Sequence, residues 1–187
     1  MTGLLLAGGR SSRMGTDKAL VDFHGEPLAE RVLRVLRGVG DQVFVASGDG
    51  RKLGSLGVPQ LADAVAEAGP LGGIVAGLEA AATDLVAVVA VDMPFASAEV
   101  IRLLAGRWDG QDAVVPGTDR GPEPLHAVYS RAAAPVLRQL LESGVLTMHR
   151  VLERIEMSIV EEQDWRVADP TGRFAVNVNR PGDLESL

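Results

Sequence analysis

Short apolar runs alternate with longer amphipathic stretches along most of the chain. Residues 4–7 read as a buried strand that stops at the glycine pair Gly8-Gly9. After Pro27, apolar residues at Leu28, Val32, Leu33, Val35 and Leu36 recur at helical spacing, with Arg31, Arg34 and Arg37 on the other side, so a helix opens there. Strands are predicted over 42–46 and 58–62, and a helix over 70–82 whose Gly72, Gly73 and Gly77 allow close packing. Residues 85–91 are apolar at every position, the mark of a strand covered on both faces. A helix over 97–106 follows, with Ser97 as its cap and Glu99 in its first turn. A strand over 112–115 comes next. The remainder is less regular: a strand over 126–129, helices over 131–141 and 147–155, and short strands over 158–161 and 174–178.

This rhythm predicts an α/β fold of three layers, Rossmann-like, with a mostly parallel sheet and helices on both faces. No internal repeat or linker interrupts it, so a single domain over 1–187 is expected. In such sheets ligands sit beyond the carboxyl ends of the strands. Three predicted strand ends thereby become site candidates: Ala7-Gly8-Gly9, Asp63, and Asp92-Met93-Pro94.

Composition narrows the chemistry. With 47% hydrophobic and 23% charged residues, the chain belongs with folded globular proteins rather than disordered ones. Zero cysteines exclude disulfides, thiolate metal sites, iron–sulfur clusters and cysteine nucleophiles, leaving carboxylates, lysine, arginine and three histidines. A net charge of −7 argues against nucleic acid and anionic membranes as partners. It does not weigh against a small anion held in one local pocket. The longest apolar run is far shorter than the about 20 residues that span a bilayer. The first residues lack a basic, then apolar, export pattern, so a cytoplasmic location is expected.

The sharpest local signal is residues 6–18, LAGGRSSRMGTDK. Gly8 and Gly9 remove Cβ atoms where the chain leaves the sheet, so backbone N–H groups can surround an anion. Arg13 and Lys18 add positive charge, and Gly15 lets the loop fold back. The stretch reads as a phosphate cradle, although it fits neither the P-loop spacing nor the dinucleotide-binding turn. A surface loop with incidental charges is the plainer alternative. The strand exit, the paired glycines, Arg13-Met14-Gly15 and Asp17-Lys18 together weigh against it.

That string resembles the signature of the molybdenum cofactor guanylyltransferase (MobA-like) family of nucleotidyltransferases. The likeness continues, in order, through Gly69-Pro70-Leu71-Gly72-Gly73-Ile74, Asp92-Met93-Pro94, Glu123-Pro124-Leu125-His126-Ala127 and Asn177-Val178-Asn179-Arg180-Pro181-Gly182-Asp183-Leu184. Ala7-Gly8-Gly9, where the cytidylyl branch has Ala-Ala-Gly, favours the guanylyl branch. The resemblance implies a nucleotidyltransferase fold and transfer of GMP from GTP to molybdopterin with release of pyrophosphate. It also implies contact with other proteins of molybdenum cofactor biosynthesis or with recipient enzymes.

On the same resemblance, Lys18 and Arg13 contact the triphosphate and Asp92 holds Mg²⁺, a cation suited to one or two carboxylates plus substrate oxygens. Leu6, Ala7, Gly8 and Gly9 offer main-chain groups to the nucleotide, and Asp63 accepts from the guanine edge or the ribose hydroxyls, with Asp41 and Asp49 as competitors. Asn177 and Asn179 lie two apart, so both face one side of an extended chain and would complete the metal or phosphate shell, turn or cap duty being the alternative. His126 either faces the pterin or is structural. Arg150 and Arg154 either reach the pterin phosphate or form a solvated face. His24 and His149 read as surface residues, and no spacing suggests zinc. One departure bears on base choice: the family often places an asparagine where this chain has Ala46, in Val45-Ala46-Ser47. The competing readings are a CTP donor, a sugar phosphate acceptor, and a nucleotide-binding regulator without catalysis. The joint presence of Lys18, Asp63 and Asp92 disfavours the last.

Overall fold

All five residues of β1 (Thr2–Leu6) are buried, as are all but the first of β6 (Leu85–Ala90), so the middle of the sheet is apolar on both faces, as their sequences require. The structure is a computed structural model that describes residues 1–8, 18–178 and 183. β1 pairs in parallel with β6, Leu4 opposite Val88, and on its other side with β4 (Gln42–Ala46), which pairs with the two-residue β5 (Gln60–Leu61). Beyond β6 lie β9 (His126–Ser130), β7 (Ala113–Thr118) and the edge strand β10 (Met157–Val160), in that order. β8 (Gly121–Pro122) extends β7, and β2 (Asp22–Phe23) with β3 (Glu26–Pro27) forms a separate hairpin.

β9 runs antiparallel to both neighbours. The link from β7 is a short turn through β8, too brief for the crossover of a dozen or more residues that a parallel return needs. The other pairings of the main sheet between β10, β7, β6, β1, β4 and β5 are parallel, so the expected mostly parallel α/β fold is the one found.

Successive strand residues feed opposite layers. Leu5, Val45, Ala87 and Val89 pack with α1 (Leu28–Arg37) and α3 (Ala98–Gly106). Leu4, Leu6, Val86 and Val88 pack with α2 (Pro70–Ala80), α4 (Ala134–Glu142) and α5 (Met148–Leu152). Each fully buried Leu or Val of this kind contributes about 1.5–3 kcal/mol relative to exposure. α2 lies so near β1 that a Cβ at Gly77 would overlap the Leu4 side chain. Ser97 caps α3 by accepting from Val100 N–H at 3.2 Å, as its position predicts.

Two expected strands change. The one over 58–62 is reduced to β5 and a bridge between Asp49 and Ala62. The one over 174–178 is a turn of 3-10 helix (Arg173–Ala175) followed by chain outside any strand. Its apolar alternation has another cause: Phe174 N–H bonds Asp169 Oδ2 at 3.0 Å, closing a loop, and the ring stacks edge-on against Trp165 at 4.9 Å. Trp165 ends the short α6 (Glu162–Trp165). Among the described residues, no helix is long and apolar enough to cross a membrane.

Candidate active site

The carboxyl ends of β1, β4 and β6 open onto one cavity of about 240 Å³, lined by Leu6, Ala7, Gly8, Lys18, Asp63 and Asp92 among others. Leu6, Ala7, Gly8, Lys18, Asp63 and Asp92 therefore meet at one place, whereas Asn177, also expected in the metal or phosphate shell, lines a different cavity. Gly9, Arg13 and Asn179 lie outside the described residues.

Gly8 is the floor. A Cβ there would come within 3.1 Å of the Gly48 backbone nitrogen, closer than most side chains allow, and in ordinary contact with Asp63 Oδ1 at 3.6 Å. Sheet pairing continues past β1: Ala7 N–H bonds Ala46 C=O at 2.8 Å, and Val91 N–H bonds Leu6 C=O at 2.9 Å. With those groups engaged, the main-chain contacts available to a ligand narrow to the Ala7 carbonyl and Gly8. The opposite wall comes from α2, whose N-terminus begins at Gly69 with φ 66°, left-handed backbone that favours glycine, followed by Pro70 in the first turn.

Asp92 follows β6 in a tight turn pinned by the fully buried Met93. Its Oδ2 accepts from Lys18 Nζ at 2.9 Å, both side chains being partly shielded. Lys18 opens the 3-10 turn Lys18–Leu20, whose Ala19 is buried and so fixes where the lysine emerges. Asp63 N–H bonds Gly48 C=O at 3.0 Å. Burial pushes the Asp63 carboxyl above its usual range, against the Gly48 backbone and the Lys52 charge. The competitors do other work: Asp49 accepts from the N–H groups of Arg51 and Lys52 at 3.0 and 3.1 Å, and Asp41 is exposed.

If Asp63 binds guanine N–H groups as a carboxylate, lowering the pH through its raised pKa must weaken nucleotide binding earlier than an ordinary aspartate would. GTP titrations across acid pH are expected to show this loss, and Asp63→Asn to remove the pH dependence along with most of the affinity. An unchanged profile in the variant would exclude Asp63 as the titrating group.

His126 does not face a substrate. It is fully buried, its Nε2 accepts from Ser97 N–H at 3.1 Å, and its ring lies 4.8 Å from that of Phe174. The structural reading of this residue is the one that holds, because the antiparallel β9 points it into the layer beneath α3. Nδ1, which must carry the proton when Nε2 accepts, has no hydrogen-bond partner among the described residues. Desolvation lowers the imidazole from 6.5 to about 4. The unfolded chain protonates first, so the stability contributed is complete above pH 6.5 and falls towards pH 4 by on the order of 3 kcal/mol. Urea titrations of the wild type and His126→Gln are expected to converge over that window as pH drops. A constant difference between them would contradict the assignment.

Arg150 and Arg154 are exposed, and Arg154 lies past the end of α5. His149 is a surface residue paired with Glu153 at 3.1 Å, and His24 sits exposed in the β2–β3 turn, as expected.

Sequence reasoning gave Glu123 no role. The residue lies in the turn between β8 and β9, where Oε1 accepts from Leu125 N–H at 3.0 Å. Its carboxyl is raised, first by burial and then by the negative charge of Asp92, against hydrogen bonds from Leu125 N–H and the Asn177 side chain and the charge of Arg120. Glu123 lines a second cavity, of about 390 Å³, with Arg120, Arg166 and Asn177. The available signal was a carboxylate inside a recognised block, Glu123-Pro124-Leu125.

The donor set near Asp92 suits a hard divalent cation. Asp92 Oδ1 accepts no hydrogen bond from the described residues, which leaves a carboxylate oxygen for a metal. Among the described residues there is no group of three or more His, Cys, Asp or Glu that would enclose an ion alone. An ion here would take its other ligands from substrate oxygens and water, the habit of Mg²⁺ beside phosphates.

An α/β sheet with a glycine floor, a lysine and two carboxylates gathered at its carboxyl edge is the site of an enzyme that handles nucleoside phosphates. The comparisons make the class particular: residues 3–159 match the MobA-like NTP transferase domain, and the chain belongs to that family of nucleotidyltransferases. A relative from Pelotomaculum thermopropionicum, "Probable molybdenum cofactor guanylyltransferase", is 36% identical over 98% of this chain and 89% of its own. "Molybdenum cofactor guanylyltransferase" of Desulfosudis oleivorans is 31% identical over 99% of this chain and 93% of its own. Among solved structures, molybdopterin-guanine dinucleotide biosynthesis protein A from Archaeoglobus fulgidus superposes with a TM-score of 0.86 at 30% identity, covering 100% of this chain and 96% of that one.

Proposed function

We propose that this nucleotidyltransferase moves GMP from GTP to molybdopterin, forming molybdopterin guanine dinucleotide and releasing pyrophosphate. The observation that carries this reading is the convergence of Gly8, Lys18, Asp63 and Asp92 on one cavity, in a chain that is related along nearly its whole length to guanylyltransferases.

The acceptor's phosphate oxygen forms a bond to the α-phosphorus while the bond between that phosphorus and the α,β-bridging oxygen breaks. Pyrophosphate departs with the electron pair. Two polyanions must meet and a third must leave, so the protein's task is positioning and charge compensation. Lys18 offsets charge on the departing phosphates, and Arg13 joins it. Asp63 holds the guanine edge or ribose hydroxyls, and the Ala7 carbonyl and Gly8, with Gly9, line the nucleoside. Asp92 would hold Mg²⁺, and the resemblance assigns Asn177 and Asn179 to the metal or phosphate shell. When bound, that ion neutralises phosphate charge and aligns the oxygens for in-line displacement. The family uses a divalent metal; its identity as magnesium belongs to this proposal. So do the single domain over 1–187, a cytoplasmic location, transient hand-over to and from other proteins of cofactor biosynthesis, and the lack of nucleic-acid or membrane partners.

Pyrophosphate release from GTP should require both molybdopterin and a divalent cation. Release that ignores molybdopterin, or none with GTP, would overturn the reading and leave another donor, another acceptor or a regulatory role.

A further inference from the structure

The second cavity, the one that Glu123 lines, lies beside the first along the carboxyl edge of the sheet. Its volume of about 390 Å³ falls within the about 300–1,000 Å³ usual for small-molecule sites. The two cavities share a wall. Leu125 lines the first and donates its N–H at 3.0 Å to Oε1 of Glu123, which lines the second. Asp92 lines the first, and its carbonyl accepts at 2.8 Å from Val178 N–H, next to Asn177 in the second.

Most polar side chains of the second cavity are engaged with their surroundings. Arg166 donates to Glu162 Oε1 at 2.6 Å and to Pro170 C=O at 2.8 Å. Trp165 Nε1–H donates to Gly117 C=O at 2.7 Å, and Thr118 Oγ1 to Gly121 C=O at 2.8 Å. Glu123 differs. A carboxylate has about four acceptor positions, and Leu125 N–H takes one of them in a partly buried side chain. Burial pushes this carboxyl up, as it does for an anion short of donors, while the charge of Arg120 favours the ionised form. The ligand that suits it is a flat ring presenting two adjacent N–H groups.

The proposed reaction joins two molecules that each carry such an edge. Guanine and the pterin of molybdopterin both expose a 2-amino-4-oxopyrimidine, with a ring N–H beside an exocyclic NH₂. The first cavity offers Asp63 to that edge and the second offers Glu123. We infer that the second cavity is the acceptor subsite, where Glu123 accepts from the ring N–H and 2-amino group of the pterin while the acceptor's phosphate reaches past Leu125 towards the α-phosphorus. This rests on the proposed guanylyl transfer and deepens it. One carboxylate in each cavity lets two substrates that are alike at this edge be held together.

The probes are 6-hydroxymethylpterin and 6-hydroxymethyllumazine, which has an oxygen in place of the 2-amino group. With GMP saturating the first cavity and binding followed by probe fluorescence, the pterin should bind at least about tenfold more tightly than the lumazine. Glu123→Gln keeps size, and its side-chain oxygen still serves Leu125 N–H, so its NH₂ faces the pterin donors. This variant should weaken pterin binding by about 10–100-fold and erase the preference, with GTP affinity and thermal midpoint unchanged. No pterin binding, equal binding of the two probes, unaltered pterin affinity in Glu123→Gln, or pterin that binds only when GMP is absent overturns the subsite. Steady-state kinetics separates the two layers. A raised KM for molybdopterin in Glu123→Gln, with the KM for GTP unchanged, is expected, and a normal KM for molybdopterin rejects this inference alone. Selective, Glu123-dependent pterin binding without any GMP transfer to molybdopterin rejects the reaction beneath it.

Discussion

Replacing Asp92 by alanine is expected to lower the rate of pyrophosphate release by about 10³-fold or more, beyond rescue by excess Mg²⁺, while leaving the protein folded. Asp92 combines a carboxylate two residues past β6 with an Oδ1 that accepts no hydrogen bond from the described residues, and no group of three or more His, Cys, Asp or Glu among the described residues is assembled to hold the ion in its place. The structural cost is small. Its ion pair with Lys18 is partly exposed, 17% and 25% for the two side chains, and pairs of that kind are worth about 0–1 kcal/mol. The turn around it is held by Met93, which the substitution does not touch. Steady-state release assays beside a thermal melt separate the two effects. Near-normal turnover in a well-folded Asp92→Ala protein would remove the metal assignment.

Lys18→Ala should act on the phosphates and not on the nucleoside. A charge-assisted hydrogen bond contributes about 1.5–3 kcal/mol, so GTP affinity should fall by about 10–100-fold. GMP, which lacks the β- and γ-phosphates, should bind nearly as before. Calorimetric titration of both nucleotides checks this contrast. Equal losses would mean that Lys18 supports the pocket as a whole, through its bond to Asp92, and not the leaving phosphates.

The layered architecture was legible because β1 and β6 are apolar at consecutive positions, which only a strand covered on both faces tolerates. The site was legible because glycines and acids fall where those strands end, and the chain's topology does the gathering. Asp63 and Asp92 are 29 residues apart in sequence and line one cavity.

What escaped depended on contacts between distant segments. The period-2 pattern of Phe174, Val176 and Val178 mimics a strand, yet Phe174 is buried against Trp165 and His126, and the backbone closes on Asp169. The antiparallel direction of β9 follows from the shortness of the β8 connection, a geometric fact that propensity does not encode. Glu123 drew no role because its burial and its place in a cavity with Asn177, 54 residues further on, are features that no local spacing reveals. His126 remained ambiguous between substrate contact and core, and complete burial beneath α3 decided it.

Ala46 and Asp63 both line the cavity, and on the proposed reading Asp63 supplies the discrimination between guanine and cytosine. Incubation of the protein with molybdopterin, Mg²⁺ and equal GTP and CTP, followed by mass spectrometry of the products, tests base choice and acceptor at once. Molybdopterin guanine dinucleotide with stoichiometric pyrophosphate is the predicted result. Cytidine dinucleotide as the main product, or molybdopterin recovered unchanged beside intact GTP, would contradict it.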